Sequence, residues 1–353
     1  MRSDRGDTQA LWFRRYVEED DMMETVRNRH ATPLILLLKM TLIMLALLAG
    51  AGCAREPETP LRVGTNVWPG YEPLYLAREL GYYPPGSVKL VEYSSASEVI
   101  RAFRNGAVDA AALTLDEVLL LAETISDLSV VLVLDFSHGA DVILAQPALS
   151  SLRDLKGKRV GLETTALGAY VLTRALQSVN MTPNDVRTVS LEVFEHERAF
   201  KERRVDAVVT FEPVRTRLLA AGARQLFDSS RIPGEIVDVL VVRRTLSAKH
   251  GTEISRLVQG WFRALDFIRK DRSRAASLMA QRERLSADEF LKVLQGLRLP
   301  DVEENRSMLA GPAPAIIPTS QKLGQVMLAN RLIERPPEVK GLFDGSFVKG
   351  ARP

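Results

Sequence analysis

Leu61 to Tyr83 reads LRVGTNVWPGYEPLYLARELGYY, and three kinds of local order follow one another within it. Leu61-Arg62-Val63-Gly64 alternates apolar and polar or small residues, the period of a strand. Pro73 to Gly81 carries helical spacing and closes on glycine. Between them, Thr65 to Glu72 gathers an amide (Asn66), an indole (Trp68), a phenol (Tyr71) and a carboxylate (Glu72). A loop leaving the carboxyl end of a strand is where open α/β sheets bind ligands, so this one is read as presenting side chains to a small molecule. Trp68 and Tyr71 are candidate aromatic walls and Gly70 permits a tight backbone path. The Asn66 amide suits a ligand contact or a helix cap.

The 353 residues are 46% hydrophobic and 26% charged, the composition of a soluble globular protein with length enough for two compact lobes. A net charge of +3 without a basic stripe interleaved with aromatics excludes a nucleic-acid binder. His30, His138, His196 and His250 are scattered, with no H-x-x-x-H pair, so no metal site is expected. There is no G-x-S-x-G elbow and no phosphate-cradling glycine loop, so neither an enzyme nor a cofactor is expected.

Cys53 is the chain's single cysteine, so no intrachain disulfide forms. It follows the apolar run Leu34–Ala49 and the small residues Gly50-Ala51-Gly52, with Arg27, Arg29 and His30 upstream. That is the layout of a secretion signal, and Lys39 keeps the run shorter than a membrane span. Small residues directly before a cysteine resemble a bacterial lipobox, although Gly50 stands where leucine is preferred and Leu48 lies two places further upstream. The resemblance implies lipidation at Cys53 and a body anchored to the membrane in the periplasm or cell envelope; an ordinary cleaved signal and an uncleaved anchor are the alternatives. Glu18, Glu19, Asp20 and Asp21 sit where positive charge belongs, and a start at Met22 or Met23 gives a more conventional leader.

After the proline-bearing tether 54–60, short apolar runs alternate with helical stripes. Strands are expected at 88–91, 108–113, 130–134, 142–145, 160–162, 188–191, 206–210, 225–227 and 236–242. A helix over 97–106 takes Ser97 as its cap; others cover 169–178, 195–203, 254–270, 274–282, 286–296 and 320–333. Strands alternating with helices make an α/β fold of two lobes, each a largely parallel sheet flanked by helices, joined by crossover strands at 142–145 and 236–242. The expected division is leader 1–53, tether 54–60, lobe I from 61–145 and 237–353, and lobe II from 146–236. The lobes echo each other: Val108-Asp109-Ala110-Ala111 and Val205-Asp206-Ala207-Val208 each follow a polar helix and lead to an acid, Asp116 and Glu212.

Further candidate ligand contacts stand where loops converge. Thr164 and Thr165 precede Gly168 at a helix entry, whose free N–H groups suit a ligand or a plain cap. Asp116, Glu117, Asp135, Asp141, Glu163, Glu212 and Asp238 form an acid group, with Asp116, Glu212 and Asp238 chosen as contacts and Ser137 beside them. Two or more acids facing one cleft repel an anionic ligand such as nitrate and suit an amine or ring N–H donors.

The ordered segments TNVWPGYEPLYLARELG, VDAAALTLDEVLLLA, DFSHGADVILA, SLRDLKGKRVGLE, VDAVVTFEP and IVDVLVV resemble substrate-binding proteins of the nitrate/sulfonate/taurine ABC transporters over Leu61–Val242. The resemblance implies a monomeric, two-lobed periplasmic binding protein of type II that closes by a hinge and delivers its solute to an ABC permease and ATPase. A sensory lipoprotein presenting ligand to a membrane kinase or cyclase is the second reading. Fungal pyrimidine-precursor synthases are similar in the first lobe, but this chain lacks their cysteine-rich iron motif.

Overall fold

The computed structural model describes residues 36–42, 44, 59–164 and 167–352. The chain forms two units, 1–58 and 59–353. In the first, the described residues are helical and expose Leu36, Leu37, Leu38, Met40, Leu42 and Met44. Among the described residues no helix is long and apolar enough to cross a membrane. Cys53 and Thr165, with most of the expected leader and tether, lie outside the described residues.

The second unit begins with β1 (Leu61–Asn66), α1 (Glu72–Glu79), β2 (Val88–Tyr93), α2 (Ala96–Arg104), β3 (Ala110–Thr114), α3 (Leu115–Ala122), β4 (Leu128–Ser137) and β5 (Val142–Ala145). It continues with β6 (Arg159–Leu162), α4 (Leu167–Gln177), β7 (Arg187–Ser190), α5 (Val193–Lys201), β8 (Ala207–Thr210), α6 (Val214–Ala220), β9 (Arg224–Asp228) and β10 (Val237–Arg243). The remainder is α7 (Arg244–Lys249), α8 (Gly251–Lys270), α9 (Arg272–Glu283), α10 (Ala287–Val293), β11 (Leu297–Arg298), α11 (Val302–Leu309), α12 (Ile317–Ala329) and α13 (Ser346–Lys349).

The strands make two sheets, β11-β4-β10-β3-β1-β2 and β7-β6-β8-β5-β9. The βαβ pairs β1/β2, β1/β3, β6/β7 and β6/β8 are parallel, while β10 and β5 run antiparallel to both of their neighbours. The α/β class of two helix-flanked sheets is therefore as expected. Val142–Ala145, assigned to lobe I from the sequence, instead pairs with β8 and β9 in the second sheet. Its run is buried on both faces, so nothing in its pattern says which sheet it joins.

An internal repeat with an offset of 97 residues relates the sheets. Arg62 grips Asp109 and the Gly106 carbonyl, and Arg159 grips Asp206 and the Arg203 carbonyl, each through one backbone and three guanidinium bonds. The strand registers repeat too: Val63 lies opposite Ala110 and Val160 opposite Ala207. The offset carries β1, β2, β3 and β4 onto β6, β7, β8 and β9 and places β5 over β10, so the two sheets share one strand order. The last strand of each repeat is exchanged: β5 closes the first repeat but lies in the second sheet, and β10 does the converse.

Local chemistry explains the departures at helix ends. Ser95, not Ser97, caps α2, because Ser95 and Glu98 stand at the spacing a capping box requires and the Glu98 amide donates to Ser95 Oγ at 3.2 Å. Ser97 instead bonds across to Glu163. Around the sheets, Trp261 of α8 is fully buried, and Gly260 lies so close to the Tyr83 ring that a Cβ would sit 2.4 Å from it. Glu235, just ahead of β10, ties α4 to α12 by accepting from Tyr170 (2.8 Å), Arg174 (2.7 Å) and Lys322 (3.0 Å).

Along the open edge of β4 the fully buried Asn305 substitutes for a strand. Its Oδ1 accepts from Val133 N at 2.8 Å and its Nδ2 donates to Val133 O at 3.1 Å. Asn305→Ala strands both backbone groups, and unfolding in urea is expected to show a loss of roughly 2–4 kcal/mol. A loss under about 0.5 kcal/mol would mean that the edge is satisfied in another way.

Candidate functional site

The loop after β1 is held from beneath by two acids in register. Asp135 of β4 and Asp238 of β10 are directly paired positions, and both are buried. Asp135 was expected in a polar loop, but β4 runs on to Ser137 and carries it into the sheet. Trp68 Nε1 donates to Asp135 Oδ2 at 3.1 Å, and the Tyr71 hydroxyl donates to Asp238 Oδ1 at 2.5 Å. Gly70 makes this approach feasible, because a Cβ there would lie 1.9 Å from Asp135 Oδ2. Burial raises the Asp135 carboxyl to about 7, with Asp141 adding to the rise and the Trp68 bond opposing it. Burial and then the Asp135 charge raise Asp238 well above the ordinary aspartate range.

Above these residues lies a cavity of about 40 Å³, bounded by both halves of the unit. At roughly 10–15 Å³ for one water, it is a small chamber that holds about three. Asn66, Trp68, Tyr71, Ala96, Glu117, Asp141 and Asp238 face Glu163, Leu167, His196, Thr210 and Phe211 across it. The halves touch through reciprocal bonds at helix N-termini, where amides favour negative charge. Leu167 N of α4 donates to Glu117 Oε1 at 3.3 Å, and Ser97 of α2 donates to Glu163 Oε1 from its amide at 3.3 Å and its hydroxyl at 3.0 Å. The Trp68 and Phe211 rings meet edge to face at 5.5 Å.

Among the described residues four carboxylates line the chamber, Glu117, Asp141, Glu163 and Asp238, and no Lys or Arg does. Burial dominates each rise: Glu117 reaches about 8, with Asp116 adding to it, while Asp141 and Glu163 reach about 7. His196 is lowered to about 4 by burial and is neutral at physiological pH. Its Nε2 faces the Leu191 carbonyl at 3.4 Å, which only accepts, so Nδ1 accepts from the Thr210 hydroxyl at 3.2 Å. Among the described residues no three His, Cys, Asp or Glu side chains are grouped to hold a metal ion.

Residues 54–282 match the NMT1-like family. This chain belongs to that family. Its fold is that of periplasmic binding proteins, and the nitrate/sulfonate/taurine resemblance read from the motifs is borne out. The alkanesulfonate-binding protein SsuA of Xanthomonas axonopodis pv. citri, solved bound to MOPS, is 20% identical, with a TM-score of 0.69 over 83% of this chain and 100% of its own. The aliphatic sulphonate-binding SsuA of Escherichia coli is 21% identical, with a TM-score of 0.65 over 82% of this chain and 92% of its own. The desulfurization enzyme DSZB shares the fold at 17% identity and a TM-score of 0.58, over 82% of this chain and 97% of its own. Comparison of the sequence with curated proteins gives no match.

Within this NMT1-like chain the expected contacts divide. Asn66, Trp68, Tyr71 and Asp238 line the chamber. Asp116 and Thr164 line a neighbouring crevice against α12, where Thr164 Oγ1 lies 3.0 Å from Ser190 Oγ. Ser137 sits beneath Asp141, its hydroxyl accepting from the Asp141 amide at 3.3 Å and lying 2.8 Å from Ser229 Oγ. Glu212 is fully buried off the chamber wall, bound by Arg215 at 2.9 Å and by Thr216 N at 3.1 Å. The sequence reading passed over His196, Thr210 and Phe211. The repeat offers a signal for part of this set, since the 97-residue offset turns Asn66, Thr114 and Asp141 into Glu163, Phe211 and Asp238, all on the chamber wall.

The raised carboxyls stabilise the folded chain fully below about pH 4, and that contribution is lost as pH climbs through about 7. At Glu235 burial raises the carboxyl, but the bonds from Arg174, Tyr170 and Lys322 outweigh it and lower it to about 2, a contribution lost as pH falls below about 4. Without ligand, the thermal midpoint is therefore expected to peak near pH 4–5 and to fall progressively by about pH 8.5, and Asp135→Asn should flatten that fall. A midpoint that climbs steadily from about pH 6 to 8.5 would contradict the assignment.

Proposed function

We propose that this chain is the solute-binding component of an ABC importer, capturing a small, polar, nitrogen-bearing solute between its two sheets and handing it to a permease and its ATPase. The observation that carries the reading is the chamber bounded from both halves and shut by reciprocal bonds, Leu167 to Glu117 and Ser97 to Glu163. Breaking those few bonds opens the cleft, and a ligand touching both walls favours the closed state by its difference in affinity for the two. The function is binding without chemistry. The chain's one cysteine, Cys53, is assigned to lipidation, and His196 is neutral and engaged on both nitrogens. Lipidation of Cys53 would hold the receptor at the membrane on the periplasmic side, beside its permease.

Two measurements test this reading. A solute present at about 100 times its dissociation constant stabilises the folded chain by about 2.7 kcal/mol, so a panel of nitrogen-bearing solutes should contain one that raises the thermal midpoint. That same solute should accumulate in cells expressing the chain with its permease and ATPase, and uptake that persists without the chain would overturn the receptor reading. For the anchor, Cys53→Ser should abolish palmitate labelling and move the protein from the membrane pellet to the soluble extract; unchanged partition would remove lipidation.

A further inference from the structure

Asp141 and Asp238 are equivalent residues of the two repeats, 97 positions apart, one directly before β5 and the other opening β10. Both line the chamber, both are more than nine-tenths buried, and in each the Oδ2 atom has no hydrogen-bond partner. A buried acceptor without a donor is destabilising, so two carboxylates with such atoms, both on the wall of one chamber, mark where a ligand's donors belong.

The rest of the polar lining is rich in acceptors and poor in donors. The Tyr71 hydroxyl hydrogen is committed to Asp238, and the Thr210 hydroxyl hydrogen to His196, which leaves the Thr210 oxygen as an acceptor. Asn66 Nδ2 spends one N–H on the Val67 carbonyl, and its second N–H and the Thr114 hydroxyl are the few side-chain donors left on the wall. Trp68 and Phe211 supply apolar walls. Such a chamber repels an anion and suits a compact, positively charged body with more than one N–H edge.

We propose that the chamber takes a compact organic cation bearing N–H donors on two sides, held between Asp141 and Asp238 as a matched pair. The inference rests on the solute-receptor reading and names its substrate class. It separates this chain's ligand from sulfonates and nitrate by charge, and from quaternary ammonium ions by the need for N–H. The titratable groups facing the pair are Asp116, Glu117, Asp135, Glu163 and Tyr71, with His196 held neutral by burial, and burial keeps the carboxyls protonated to higher pH than usual. A cation entering among them favours their ionised forms, so protons leave as it binds and affinity rises with pH up to about 8.

The test is isothermal titration of the full chain, kept in mild detergent, in two buffers of different ionisation enthalpy. The probes are guanidinium, benzamidinium, agmatine, tetramethylammonium, nitrate and butanesulfonate. At least one N–H cation should bind with proton release, at least tenfold more tightly at about pH 8 than at pH 6, while tetramethylammonium and both anions fail. Asp141→Asn, which keeps the shape and leaves the Trp68 and Tyr71 bonds intact, should weaken that cation at least tenfold with an unchanged or raised thermal midpoint. Proton counting on the unmodified chain stands even if the variant fails to fold. Binding of nitrate or butanesulfonate with proton uptake would overturn the cation and leave the receptor reading in place. Equal binding of tetramethylammonium would overturn the donor requirement, and no binding by any cation would overturn the proposal. Failure of the receptor reading shows separately, as uptake that does not depend on this chain.

Discussion

Asp135 and Asp238 stand opposite each other on adjacent antiparallel strands, where two like charges repel and neither is solvated. The first sheet accommodates them because the loop after β1 lays an indole N–H on one and a phenol O–H on the other. This fixes the path of the loop, obliges position 70 to lack a side chain, and sets the faces of Trp68 and Tyr71 toward the cleft. One wall of the chamber is thus built as a by-product of neutralising a buried pair of acids.

Closure obeys similar electrostatics. Each half lends the amide end of a helix to a carboxylate of the other, α4 to Glu117 and α2 to Glu163. Each bond is long and modest, so closure is poised rather than locked. The tie at Glu235 is of another kind: three donors converge on one carboxylate beside the entry to β10, anchoring α4 and α12 close to the strand that links the halves.

The first loop was legible because its signals are local: a strand period, a proline, a glycine and a helix stop within 23 residues, with Asn66, Trp68 and Tyr71 reaching the chamber. Asp238 was legible as an acid inside an apolar strand. Sheet membership was not, since the Val142–Ala145 run is buried on both faces wherever it pairs. The cap of α2 turned on choosing among nearby serines, and the Glu98 three residues after Ser95 decides it. Glu212 has Arg215 three residues on, a spacing that already offers it a partner away from the cleft. His196 lies within a charged helix, and only its register with the fully buried Val99 of the first repeat marks it as facing inward.

The exchange of β5 and β10 ties the assembly of the two sheets together. The first sheet cannot be completed from one uninterrupted stretch of chain, because the strand lying between β4 and β3 is β10, which comes only after the whole of the second sheet, β5 to β9, has been made. A nascent chain that has emerged only as far as β5 therefore holds one unfinished sheet and one orphaned strand. The second sheet can close once β9 has emerged, whereas the first must wait for β10 and β11, so the sheet that begins first is finished last.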